Sequence, residues 1–157
     1  MFGSLHSHAA ADMGDPLGAD KRAALFSEVH VGILGVSRRV PTPLVVPVWY
    51  LYEDEMVRLI VLAGSLKHRV LVNSGFASLC VQEEILPYRY ATVEGRVAIR
   101  EVPADFIPRL AVRYLGPEVG ARYAPQIRPE ANVLVEIEPH RWLSDEYSFG
   151  YFGILPT

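Results

Sequence analysis

The stretch Leu59-Ile60-Val61-Leu62-Ala63-Gly64-Ser65-Leu66-Lys67-His68-Arg69-Val70-Leu71-Val72-Asn73-Ser74-Gly75 holds the sharpest change of pattern in the chain. Leu59 to Ala63 is an unbroken apolar run of strand length. Ser65 is a natural helix N-cap and Asn73-Ser74-Gly75 a stop signal, so the stretch reads as strand, turn and helix. Its charge is out of place. The first turn of a helix exposes unpaired N–H groups and partial positive charge, and acidic side chains are preferred there. Here the turn carries Lys67, His68 and Arg69, in a chain whose formal net charge is −3. A bound phosphate would compensate them. A solvated basic turn without a ligand is the competing reading, and the motif alone does not choose between the two.

Working outward, the flanking segments have strand character. Val29 to Val36 is an apolar β-type run, followed by a turn from Ser37 to Thr42 with two arginines and Pro41. Leu44 to Tyr52 is β-branched or aromatic almost throughout, and Glu53-Asp54-Glu55 turns the chain into the strand Met56 to Ala63. Beyond the helix, Phe76 to Glu83 is a fourth strand and Tyr88 to Arg100 a long fifth, with Gly95 marking a bulge or bend. Phe106, Ile107, Leu110, Ala111 and Tyr114 share one helical face within Pro103 to Leu115, and Gly116-Pro117 ends that helix, with a further turn over Glu118 to Tyr123. Asn132 to Ile137 is a sixth strand, and a short seventh is possible near Trp142. Strands joined mostly by tight turns, with few helices, predict a mainly β protein with helical insertions: a small antiparallel barrel, not a doubly wound sheet. Residues 1–20 read as a flexible tail containing His6 and His8. Asp20 is placed to cap a short helix ending at Phe26, and residues 21–157 read as a single domain.

The bulk numbers narrow the function. With 157 residues the chain is one domain, and half of them are hydrophobic, which calls for either an unusually large core or apolar surface buried against a partner; a homodimer is the default form of the latter. The mild acidity argues against nucleic acid as a partner. A lone cysteine, Cys80, excludes a disulfide framework; with no basic-apolar leader and no run long enough to span a bilayer, the expectation is a cytoplasmic protein without membrane association.

Side chains that can carry chemistry are few. Pro47 interrupts Val45-Val46-Pro47-Val48-Trp49-Tyr50; it marks either a protected edge strand or an opened ladder whose free backbone groups can meet a flat, edge-polar ligand. Gln82 and Arg89 can face a pocket, with Tyr88 and Tyr90 on one side of a strand. Trp142 can stack on a ring system or close the barrel's end. There is no metal-ligand spacing, nucleophile elbow or phosphate-binding Walker loop, and His30, His68 and His140 are scattered, so no catalytic residue and no metal are assigned. An enzyme of this kind takes its reactivity from an organic cofactor.

Taken in order, Pro43-Leu44-Val45-Val46-Pro47-Val48-Trp49-Tyr50, then Gly64-Ser65-x-Lys67-x-Arg69, Ser78-Leu79-Cys80-Val81-Gln82 and Tyr88-Arg89-Tyr90-Ala91-Thr92-Val93-Glu94-Gly95 resemble the flavin/deazaflavin-binding split β-barrel proteins related to pyridoxamine 5′-phosphate oxidase. The resemblance runs from about Phe26 to Trp142. It implies a six-stranded antiparallel split barrel of FMN-binding type, a homodimer with cofactor sites at its interface, and FMN, or alternatively F420, as cofactor. It further implies that Ser65, Lys67 and Arg69, beside His68, grip the cofactor phosphate. The backbone of Val46, Pro47, Val48 and Trp49 would border the ring, with Gln82 nearby and Trp142 approaching from the other subunit. The expected activity is an oxidoreductase acting on a small organic substrate, the alternative being a non-enzymatic flavin or haem carrier. Two departures stand out: Val70 takes a place where family members often carry asparagine, and the C-terminal Arg/Trp/His signature of the oxidase proper is missing, which speaks against that particular activity.

Overall fold

The computed structural model describes residues 15–147, so the expectations for His6, His8 and the first fourteen residues lie outside it. The chain runs α1 (Gly18–Ser27), β1 (Gly32–Val36), β2 (Leu44–Val48), β3 (Leu51–Glu53), β4 (Met56–Leu62), α2 (Leu66–Ser74), β5 (Phe76–Glu83), β6 (Tyr88–Arg100), α3 (Phe106–Tyr123) and β7 (Asn132–Tyr147), with two 3-10 turns between α3 and β7. The strands form one antiparallel sheet in the order β2-β1-β5-β6-β7-β4-β3.

That order explains why the sheet curls. Its two edges, β2 and β3, are consecutive in the chain, and only Trp49 and Tyr50 separate them. Seven strands laid flat would put those edges about 29 Å apart, whereas the three-step link from Val48 to Leu51 reaches at most about 11 Å. The sheet must therefore roll up until its edges nearly meet. The sequence predicts six strands and a single run from Leu44 to Tyr52; the structure has seven, because Trp49-Tyr50 crosses the split and the run is divided between opposite edges. The short strand expected near Trp142 is instead the far half of β7, continuous with Asn132 to Ile137.

The split is held by Tyr114 of α3. Its hydroxyl accepts from the Tyr50 N–H (3.1 Å) and donates to the His30 carbonyl (2.8 Å). Tyr114→Phe strands the Tyr50 N–H and should cost about 1–3 kcal/mol in a urea titration. A loss within error would show that water replaces the hydroxyl without cost.

The interior follows the period of two along each strand. Leu34, Val36, Val48, Val57, Leu59, Val61, Leu79, Val81, Val93, Val135 and Ile137 point inward, joined by Leu25 and Phe26 of α1 and Leu71 of α2. The helix α1 begins at Gly18, with Asp20 in its first turn and Leu17 at the N-cap, so the capping role expected of Asp20 is not what the structure shows. From Asp15 the chain is bound to the body: the Leu17 N–H donates to Ser144 Oγ and Arg22 pairs with Asp15. On the outer surface α3 covers β3, β4 and β7 through Phe106, Leu110, Leu51 and Leu134. It is broken at Gly116, whose backbone is non-helical (φ 79°, ψ 167°), and resumes from Pro117 to Tyr123, in keeping with the stop at Gly116-Pro117 and the further turn that the sequence suggests. The outer face of β1, β2 and β5 has no such cover among the described residues, and Ile33, Val45 and Phe76 stay exposed there.

Candidate cofactor-phosphate site

The helix α2 crosses the barrel opening from the end of β4 to the start of β5, burying Val70 and Leu71 and leaving its basic first turn outside. Gly64 takes φ +75°, a left-handed conformation suited to glycine, and lets the chain reverse from strand into helix. Ser65 is the N-cap: its Oγ accepts from the His68 N–H (3.2 Å). The His68 Nδ1 accepts from the Gly64 N–H (2.9 Å), and Arg69 donates through Nη1 to the Gly64 carbonyl (2.8 Å). At the far end Gly75 is the left-handed C-cap, its N–H returning to Leu71 O.

These contacts show which donors remain. An α-helix leaves its first four N–H groups without intrahelical partners. His68 N–H is taken by Ser65 Oγ and Arg69 N–H by Ser65 O (3.1 Å). Among the described residues nothing accepts from the N–H groups of Leu66 and Lys67, and no carboxylate pairs with the Lys67 ammonium. Two aligned backbone donors beside an uncompensated cation at a positive helix end fit the oxygens of a phosphate. The Arg69 bond to the Gly64 carbonyl fixes the turn and leaves its other guanidinium N–H groups without a partner among the described residues.

Lys67, Val70 and Ser74 follow one another at helical spacing, on one stripe of α2. A cavity of about 330 Å³ along that stripe is lined by Ser37, Arg38, Arg39, Val70, Asn73 and Ser74. Arg38 is tied to Thr42 by its Nε (2.9 Å) and Nη2 (2.9 Å), whereas Arg39 has no ion-pair partner among the described residues. The sequence notes both arginines as turn residues only. Their position beside α2 depends on the β1–β2 hairpin folding back, which no local pattern reports. Val70, where asparagine is common in the resembled proteins, is 9% exposed and belongs to the core.

The other expected site residues are dispersed within one chain. Pro47 sits on the edge strand β2, paired in register with Ile33, and its side points outward with Val45. Val46 and Val48 point into the barrel. Trp49 stacks on Tyr114 with ring centroids 4.8 Å apart and planes 2° from parallel, so its indole packs against α3. Gln82 and Arg89 both line a cavity of about 410 Å³ together with Tyr88, Tyr90 and Tyr147. Trp142 meets Phe26 edge-on (5.1 Å), with the Arg22 guanidinium 4.6 Å above its ring. It lies ten residues along β7 from Asn132, the partner of Leu62 at the mouth of the basic turn, which is about 30 Å of strand.

No family model matches the sequence, and neither does any curated protein. Solved structures do match. An F420 reductase aligns with a TM-score of 0.63 at 24% identity, over 76% of this chain and 93% of that one. A FAD-binding protein from Mesorhizobium loti aligns at 0.62 and 22%, over 84% and 96%. A protein of Listeria innocua provisionally assigned as a pyridoxamine 5′-phosphate oxidase aligns at 0.62 and 12%, over 78% and 94%. At such identities the likeness is one of fold: the chain has the split-barrel fold of the flavin- and deazaflavin-binding proteins related to pyridoxamine 5′-phosphate oxidase. No helix among the described residues is long and apolar enough to cross a membrane.

Proposed function

We propose that the protein is a flavin-type oxidoreductase that binds FMN, or alternatively F420, at a homodimer interface and acts on a small organic substrate. The observation that carries this reading is the α2 N-terminus, where the Leu66 and Lys67 N–H groups and the Lys67 ammonium lack partners among the described residues. A phosphate is the one group common to both cofactors that such a set of donors holds. When bound, the cofactor ring supplies hydride or electron transfer, which suits a chain without an assigned catalytic side chain.

The residues' own tasks follow from their chemistry. Lys67 and the two backbone donors bind the phosphate; Ser65 and His68 keep the turn in the shape that exposes those donors. Arg39, on the β1–β2 turn beside the stripe of α2 that carries Lys67, extends the positive surface towards the remaining anionic groups. The uncovered outer face bearing Ile33, Val45, Pro47 and Phe76 would close against a second copy, excluding water from the ring. The Val46 to Trp49 backbone, at the edge of the sheet, and Trp142 of a second subunit would complete the site.

The test is a spectroscopic titration of the purified protein with FMN and with F420, beside a measurement of its mass in solution. Micromolar binding of one cofactor by a dimer is expected, and failure of both to bind would overturn the reading. Lys67→Ala should weaken that binding by about 1–3 kcal/mol, the worth of a charge-assisted contact. Unchanged affinity would move the phosphate elsewhere while leaving the fold untouched.

A further inference from the structure

A second cluster, independent of the cofactor reading, lies where the end of α1, the approach to β1 and the end of β5 converge. Glu28, His30 and Glu83 each offer one donor atom, and these atoms all lie within 4.8 Å of one another. His30 Nε2 is 3.1 Å from Glu28 Oε2 and 4.0 Å from Glu83 Oε2. A cation bound at about 2.0–2.2 Å by nitrogen and carboxylate donors sets them roughly 3.3–4 Å apart, so the three atoms need little movement to share one.

The backbone of the cluster is fixed from several directions. The His30 carbonyl accepts from Tyr114 Oη (2.8 Å), and the Glu28 carbonyl accepts from Arg113. Glu83 stands in the β5–β6 ladder opposite Arg89. The His30 side chain is 17% exposed and Glu83 26%, so these two donors are partly shielded, while Glu28, at 41%, stands at the surface. Glu83 also borders the cavity of about 410 Å³ with Tyr88 and Tyr90, giving access and room for water ligands.

The electrostatics favour a cation. Arg89 donates through Nη2 to both oxygens of Glu28 (2.8 and 2.9 Å) and is 3.9 Å from Glu83. One guanidinium faces two carboxylates, which leaves the group net negative.

We propose that Glu28, His30 and Glu83 form a binding site for a first-row divalent cation, with Zn²⁺ the best match and water from the adjoining cavity completing its coordination. An imidazole with two carboxylates is a borderline donor set that suits Zn²⁺ and disfavours Mg²⁺, which prefers oxygen in near-octahedral geometry. The cation displaces Arg89 from Glu28 Oε2, so Arg89 is its competitor.

The test is calorimetric titration of the full-length protein with Zn²⁺ in chelator-free buffer near neutral pH. One equivalent per chain should bind, and should still bind after His6→Ala and His8→Ala together, with Mg²⁺ failing to compete. His30→Ala and, separately, the isosteric Glu83→Gln should each weaken binding by about tenfold or more. Arg89→Gln should tighten it, a sign that a purely structural role would not give; circular dichroism in EDTA verifies that each variant is folded. Absence of a stoichiometric site in the unmodified protein would overturn the proposal. So would a site that survives both His30→Ala and Glu83→Gln, or one that disappears with the tail histidines.

Discussion

Phe26→Ala should lower the unfolding free energy by about 3–5 kcal/mol, the usual cost of removing a fully buried aromatic side chain. Phe26 has no exposed surface. Its ring meets Tyr50 at 5.7 Å, Tyr52 at 5.4 Å and Trp142 at 5.1 Å, so one side chain of α1 touches the split, the edge strand β3 and β7 together. Two of these rings are held against collapse into the space: the Tyr50 hydroxyl donates to the Phe26 carbonyl (3.0 Å), and Trp142 lies under Arg22. Burial pushes the Tyr50 phenol pKa well above its ordinary value, so it remains a donor at any pH of interest. Urea denaturation of the variant gives the number. A loss under about 1 kcal/mol would mean that the rings repack and that α1 contributes little to closing the barrel.

Gly95→Ala should be almost as damaging, at about 3 kcal/mol or more, beyond the usual range for overpacking because the obstacle is main chain. A Cβ on Gly95 would stand 2.0 Å from the Glu138 carbonyl oxygen and 2.7 Å from its carbon. The β6–β7 register slips here: Glu94 faces Arg141 while Gly95 faces Pro139, leaving His140 as the extra residue. Pro139 has no N–H to give a ladder, so a bulge is where it is tolerated. The two longest strands bend at this crossing, and the bend lets the sheet curl far enough for two residues to link its edges. Gly75→Ala is the control. Gly75 has positive φ (68°), which Gly95 does not, and nothing lies within 4 Å of an added Cβ, so only backbone strain of about 1–2 kcal/mol is expected. A loss for Gly95→Ala no larger than that for Gly75→Ala would show that the close crossing at Glu138 relaxes at little cost.

Much of this was legible before any coordinates. Ser65 as N-cap, Gly75 as C-cap, Pro47 on an edge strand and Gly95 at a bulge are local requirements. A short menu of residue types satisfies each, so the pattern reports them directly. The division of Leu44 to Tyr52 between opposite edges was hidden, because Trp49 and Tyr50 are as β-prone as their neighbours and propensity does not record which partner a strand takes. The break in α3 at Gly116-Pro117 and the further turn to Tyr123 were legible, because glycine takes the positive φ (79°) that interrupts the helix there. How the second segment folds back was not legible: Gly120 sits against the Val112 backbone, a close approach that only the bend at Gly116 allows.

The candidate sites divide in the same way. The basic turn is consecutive in sequence, so Lys67, His68 and Arg69 could be singled out as an electrostatic misfit from charge and helix polarity alone. The sequence by itself also determined a mainly β chain and the strand–turn–helix that presents those cations, since both follow from periodicity and capping within a few residues. Only the tertiary structure decided which donors are free. His68 and Arg69 are partly occupied in holding Gly64, whereas Lys67 and two backbone N–H groups lack partners among the described residues. It also brought Arg39 alongside α2 and gathered Glu28, His30 and Glu83 from positions up to 55 residues apart. The physical reason is that hydrogen-bond and charge satisfaction depends on what the rolled sheet places within a few ångströms, and a linear chain carries no record of that distance.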